Sequence, residues 1–422
     1  MKPFDRLWAH QPPGDRQPDD SPLSRRMTSI VSTLPPSVDA RVQQLVASGS
    51  VVISLHTAEP SRPPPDHVVE AALDASRSER FNRHAPSAGL PELREAIAAK
   101  TTRDSGLLVT PAEVVVTSGT RQSVSNALNA VVDIGDEVLL PAPYWPAYRA
   151  AIELAGGHTV ALPTAIADGF KVNVDQLQSA LSRRTKALLF CSPCNPTGAV
   201  YTPAELQLIG EWAEREGLCV ITDETYEHFV YRNTAPKSLP AVVPAIRDRC
   251  FILNGVAKAY AMPGWHVGWL IVPLGVAEAV TTLQSHVTSP PSSVAQAAAL
   301  AALESGLAPI EALKEDLDRR RKRLWKSLDA QPGVEIMEPG GGLHVFPSVE
   351  AYLGGRLAGR QINTSLELAA ALLDVAGVVV APGEAFGRLG HLRVSFALSD
   401  DDLDEGIARL EAGLREVTEN RR

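Results

Sequence analysis

With 422 residues, 45% of them hydrophobic and 21% charged, the chain is long enough to bury more than one packed core. A formal net charge of −9 with no polybasic run argues against nucleic acid as a partner. The longest apolar stretches are too short to span a bilayer and the first residues lack a secretory core, so no membrane partner and a cytoplasmic location are expected.

Residues 1–35, rich in Pro, Asp, Arg and Ser, cannot bury much alone and read as a mobile arm. From Pro36 to Ser48 the spacing of Val38, Val42, Leu45 and Val46 predicts a helix, and Val51 to Leu55 reads as a strand; together 36–65 would be the N-terminal part of a small domain. Short β-rich runs at Val114, Glu137, Ala187, Leu218 and Phe251 then alternate with helical stretches, which predicts a parallel sheet covered by helices in a large domain over 66–305. A charged helix from Ile310 to Ser327, the Gly-rich Pro339 to Gly342 and smaller α/β pieces as far as Leu414 predict a second, smaller domain over 306–422.

In open α/β sheets ligands sit at the carboxyl ends of the strands, and the polar motifs of this chain follow directly on those runs. Thr117 to Ser123 offers backbone N–H groups, hydroxyls and a cation at a helix start, a phosphate seat or an ordinary cap. Pro141 to Tyr148 fixes Tyr144 and Trp145 in a proline-stiffened turn, to cover a planar ligand or to pack in the core. Ser192 to Gly198 presents the Asn195 amide in a rigid loop, and Asp223 stands at a strand tip with Tyr226 three residues on; a plain turn and an N-cap are the simpler readings.

Cys191 and Cys194 have metal-ligand spacing, but no second Cys or His pair stands at partner spacing, so two cysteines at a buried strand end are expected and no metal. Lys258 lies between two apolar runs among Gly255, Ala257, Ala259 and Ala261. Burial there would depress its pKa and favour Schiff-base chemistry, against the alternative of a surface lysine in a flexible turn.

The spaced set of Ser118–Gly119, Tyr144–Trp145, Asn195 to Gly198, Asp223 to Tyr226, Lys258 within Asn-Gly-x-Ala-Lys-Ala, and Arg393 resembles the class I/II aminotransferases, in the family's order and near its spacing from about residue 36 to 414. The resemblance implies a fold-type I pyridoxal-phosphate transferase: α/β, a mostly parallel seven-stranded sheet in the large domain, and a smaller α/β domain. It implies pyridoxal 5′-phosphate as cofactor, held as an internal aldimine on Lys258, which would also move the proton between substrate Cα and cofactor. Asp223 would pair with the pyridine nitrogen, Tyr226 and Asn195 would hold the ring oxygen, Trp145 would stack on the ring, and Ser118, Gly119, Thr120 and Arg121 would cup the phosphate. Arg393 would clamp the substrate α-carboxylate with two parallel hydrogen bonds; its alternative is a strand-edge arginine.

Departures from the family pattern fall around the same site. His266 stands where an arginine usually meets the phosphate, and His84 where a tyrosine of the neighbouring subunit does. Ala58 replaces the glycine before Glu-Pro, and Leu343–His344 replaces an aromatic pair, which changes the pocket wall around the substrate. With His56 and His228, half of the ten histidines lie at or beside motif positions.

The leading expectation is an aminotransferase acting on an α-amino acid and a 2-oxo acid. The alternative is elimination, decarboxylation-coupled deamination or cyclisation of an amino acid on the same cofactor, as in specialised metabolism. A ligand-sensing regulator would need a DNA-binding domain, for which the segment before Pro36 is too short and too Pro-rich. The resemblance also implies a homodimer with shared active sites, His84 and the Ser285 to Pro291 loop being the candidate cross-subunit contributors.

Overall fold

The computed structural model describes residue 27 and residues 36–231 and 237–417. The arm expected over 1–35 therefore lies, apart from Met27, outside the described residues. Val38, Val42 and Leu45 of the helix Pro36–Ala47 pack against Leu373 and Val379. Val46 is 57% exposed, where the helix ends beyond that contact. The strand expected from Val51 to Leu55 is shorter: only β1 (Ile53–Ser54) pairs, with a segment more than three hundred residues later.

The central sheet is built from β2 (Val114–Thr117), β3 (Glu137–Ala142), β4 (His158–Pro163), β5 (Thr185–Cys191), β6 (Cys219–Asp223), β7 (Cys250–Gly255) and β8 (Gly268–Ile271), in the order β2-β8-β7-β6-β5-β3-β4. All neighbours are parallel except β8, which runs antiparallel between β2 and β7. The inner strands, and the edge strand β2 with them, are buried along most of their length and so read as apolar runs; each fully buried Val, Leu or Ile contributes roughly 1.5–3 kcal/mol. Edge strand β4 mixes exposed and buried residues, and its His158-Thr159 start gave no such run to read.

Parallel order brings the carboxyl ends of β2, β3, β5, β6 and β7 to one edge, where Cys191 pairs with Asp223 and Asp223 with Leu253. The antiparallel β8 starts at that same edge. Gly268 pairs there with both Thr117 and Gly255, and a Cβ on it would meet the Gly119 backbone at 2.7 Å, so glycine lets the helix Gly119–Val131 sit tight on the sheet.

The remaining strands are short: β9 (His344–Val345), β10 (Arg356–Leu357), β11 (Arg360–Gln361), β12 (Val378–Val379), β13 (Ala381–Pro382) and β14 (Leu392–Ser395). β12 pairs with β1, β10 with β11, and β13-β14-β9 form a three-stranded sheet. The charged helix runs from Ala308 to Asp329, two residues beyond the sequence expectation at each end. Arg319, Arg320 and Arg323 from it converge on Asp400, at the start of the helix Asp400–Arg415. Among the described residues no single helix is long and apolar enough to cross a membrane.

Candidate active site

Asp223 ends β6 buried, and both of its carboxylate oxygens are taken. Oδ2 accepts from the Tyr148 hydroxyl at 2.7 Å, and Oδ1 accepts from the Thr225 hydroxyl at 2.5 Å and the Thr225 N–H at 3.0 Å. Burial, followed by the nearby Asp223, raises the Tyr148 pKa well above the usual tyrosine value, so its hydroxyl stays a donor. Sequence reasoning did not assign Tyr148 a role. The signal was present: Tyr148 follows Trp145 by three residues at the start of the helix Pro146–Leu154, and the two rings meet edge to face at 5.4 Å.

Lys258 lies in the turn after β7. Its Nζ donates to the Ala58 carbonyl at 2.6 Å, and its pKa is lowered to about 8, by burial first; Glu59 and Asp223 act against that shift, Arg393 and Arg121 with it. The small residues around it do spatial work: Ala259 and Ala261 are buried, and a Cβ on Gly255 would meet the Val267 carbonyl at 2.9 Å.

Arg393 projects from β14, buried. Nη1 donates to Asn195 Oδ1 at 3.0 Å, Nη2 to the His56 carbonyl at 2.7 Å, and Nε is buried with no partner. Its guanidinium lies 4.8 Å from the centre of the Phe386 ring. Burial lowers its pKa to about 10, with the guanidinium still charged at neutrality. Tyr226 is buried, its phenol raised above its usual value chiefly by burial.

At the expected phosphate seat, Ser118 precedes the helix Gly119–Val131, and Gly119 takes φ +77°. The Ser118 N–H is occupied by the Gln122 side chain, which is tied in turn to Thr288, so this amide is not free as the motif suggested. The Arg121 guanidinium stands 5.2 Å from the centre of the Trp145 ring. His266 takes φ +52° beside Gly119, with its Nδ1 3.9 Å from where a Cβ on Gly119 would lie.

The histidines do not form one cluster. His56 meets Ser54 Oγ through Nδ1 at 2.8 Å, and His344 is buried near Arg393 and Lys258. His228 instead sits with Asp104 and Glu227, a carboxylate group already holding Lys100. His84 is exposed, four residues before Ala88, whose carbonyl accepts from the Val116 N–H of β2. Of the expected Ser285 to Pro291 loop, Ser285 to Val287 continue the helix Leu274–Val287, and the chain turns at Ser289 with φ +64°. Cys191 and Cys194 are both free thiols, donating to the Pro193 and Pro143 carbonyls.

This crevice offers a lysine nucleophile, a fixed carboxylate, a buried guanidinium and a helix start with a small-residue approach. Such a set would suit a planar phosphorylated aldehyde with a basic ring nitrogen: the anchored Asp223 would pair with the nitrogen, and the start of the helix Gly119–Val131 would receive the anion.

Comparison with known proteins agrees in kind. The family described as aminotransferase class I and II matches residues 50–410. An aspartate aminotransferase of Streptomyces avermitilis is 46% identical over 97% of this chain and 100% of its own length. One of Geobacillus stearothermophilus is 35% identical over 92% and 98%. The crystal structure of the aspartate aminotransferase from Rhizobium meliloti superposes with a TM-score of 0.89 at 33% identity, covering 94% of this chain and 99% of that one.

Proposed function

The chain belongs to the class I and II aminotransferases, and on that premise we propose that it transfers the amino group of an α-amino acid to a 2-oxo acid with pyridoxal 5′-phosphate at Lys258. When bound, that cofactor supplies an aldehyde carbon for the amine and an electron-withdrawing ring for the electrons left at Cα after proton loss.

The residues of the chain do the rest. Lys258, with its pKa lowered to about 8, presents enough free amine near neutrality to bond the aldehyde, and once displaced by the substrate it moves the proton at Cα. Asp223, fixed by Tyr148 and Thr225, holds the proton on the ring nitrogen. Tyr226 and Asn195 orient the ring oxygen, and Trp145 covers the ring. Ser118, Gly119, Thr120, Arg121 and His266 hold the phosphate. Arg393 clamps the α-carboxylate through its buried guanidinium, with Ala58, Trp145 and His344 lining the substrate side. A second copy of the chain would bring its own His84 to the phosphate, which makes the working form a homodimer.

The observation that carries this reading is the part-buried Lys258 amine, held on the Ala58 carbonyl in the turn after β7, within the influence of Asp223 and Arg393 and depressed in pKa. The test is the visible spectrum of the protein with pyridoxal phosphate, titrated with amino acids in the absence of any oxo acid, aspartate first because the relatives are named for it. Stoichiometric conversion to the pyridoxamine form supports transamination. Sustained release of ammonia or carbon dioxide over many turnovers overturns it.

A further inference from the structure

Lys258 and Tyr226 stand on two different turns, after β7 and after β6, and one carboxylate ties the two turns together. The backbone pairing of β6 with β7 ends at Asp223 with Leu253, closed by the Glu224 N–H on the Leu253 carbonyl. Beyond that point Glu227, the residue after Tyr226, reaches across: its Oε1 accepts from Asn254 Nδ2 at 2.5 Å. Asn254 lies four residues before Lys258, and its Oδ1 accepts from the Gly255 N–H at 2.7 Å, so the amide is fixed at both ends. The same Glu227 oxygen is held by Lys100 of the helix Pro91–Ser105. Lys100 is 2% exposed, and its ammonium also stands 3.3 Å from Asp104, which Arg103 and His228 flank. A buried ion pair is a weak source of stability beside packed apolar side chains. What it does give is a fixed place for the Glu227 carboxylate and, through Asn254, for the start of the Lys258 turn.

We propose that Glu227, Asn254 and Lys100 are positioning residues: they hold the Lys258 turn against the Tyr226 turn, so that amine and phenol keep one relative placement through turnover. This rests on the aminotransferase reading, in which Lys258 bonds the cofactor aldehyde and Tyr226 orients the ring oxygen. The three residues act through the two turns rather than by contact with cofactor or substrate. A misplacement of about 1 Å between reacting groups costs on the order of 100-fold in rate, so a brace of this kind governs kcat more than KM.

The test compares Asn254→Ala and Glu227→Leu with Glu227→Gln, which keeps an acceptor for Asn254, and with Asp104→Asn, which takes a carboxylate from Lys100 but leaves the bond between Glu227 and Asn254. Two readouts are taken on the full chain. One is kcat of the holoenzyme with its best donor from a panel of amino acids; the other is the pH midpoint at which Lys258 of the cofactor-free protein is acetylated by trace acetic anhydride, followed by mass spectrometry. Asn254→Ala and Glu227→Leu should each lower kcat by about 10-fold or more, with the double variant within about 3-fold of the worse single one, because either change alone breaks the link. Both should also raise the midpoint from about 8 by about half a unit or more, as a loosened turn lets water reach the amine; Glu59, Asp223, Arg393 and Arg121, the charges around it, are the same in every variant. Glu227→Gln should recover kcat to within about 3-fold of the unmodified protein, and Asp104→Asn should keep both kcat and midpoint even where it lowers thermal stability. Asn254→Val takes the place of the alanine variant if that does not fold. A loss of kcat as large in Asp104→Asn, fully additive losses in the double variant, or an unmoved midpoint in Asn254→Ala overturns the proposal. An unmodified holoenzyme that converts no amino acid removes the aminotransferase premise and the proposal with it, whereas unaltered kcat in the variants of an active protein overturns the proposal alone.

Discussion

On the proposed cofactor side of the crevice the polar groups at Asp223 are saturated: both carboxylate oxygens accept from neighbours, Thr225 just after β6 and Tyr148 on the helix after Trp145. On the substrate side Arg393 Nε and His344 Nε2 are buried without partners, although Arg393 Nη1 and Nη2 are engaged. A group that never leaves can be matched once by the fold. Ligands that arrive and depart must find vacant hydrogen-bonding capacity, and leaving it buried costs stability that binding recovers. The contrast therefore separates a carboxylate already matched by the fold from a wall with polar atoms still unpaired.

The harshest way to break the comparison is Lys258→Ala. It should lower kcat/KM by about 10⁵-fold or more while the Asp223 side stays folded, read by steady-state rate beside retained thermal stability. Arg393→Ala attacks the other side. Loss of the guanidinium should reduce kcat/KM by about 10³-fold, mostly through KM, because Asn195 and the His56 carbonyl lose their donor as the substrate loses its clamp.

A pH series sharpens the cofactor side without mutation. The folded-state pKa of Lys258 is lowered to about 8, so free amine is abundant above pH 8 and falls tenfold per unit below it. The rate at which cofactor-free protein takes up pyridoxal phosphate should accordingly rise by about 50-fold from pH 6 to pH 8 and level about twofold higher by pH 10, followed by stopped-flow absorbance. A midpoint near 10 would mean that burial does not act on this amine. Smallest is Tyr148→Phe, which strips one donor from Asp223. It should lower kcat about 10-fold and shift the pH dependence of the bound cofactor's absorbance, whereas a purely structural loss would leave that spectrum unmoved.

Legibility followed the same divide. Strand ends β2, β3, β5, β6 and β7 could be read because a doubly covered parallel sheet demands unbroken apolar runs, and the motifs carried on those ends inherited their placement. Edge strand β4 escaped because its partial exposure imposes no such pattern, whereas the other edge strand, β2, is buried throughout. Tyr148 escaped although its spacing from Trp145 was visible, since a tyrosine one helical turn from a tryptophan is as often core packing as a functional pair.

By itself the sequence determined the α/β rhythm, the lysine in its small-residue turn and the strand-tip polar groups, all local properties that period and composition dictate over a few residues. Only the tertiary structure decided which carbonyls Arg393 and Lys258 meet, those of His56 and Ala58, and that His228 belongs with Asp104 and Glu227. It also turned β8 against its neighbours. Those outcomes depend on pairing segments hundreds of residues apart, such as β1 with β12, and on which buried groups find partners there, and no local pattern of residues encodes either.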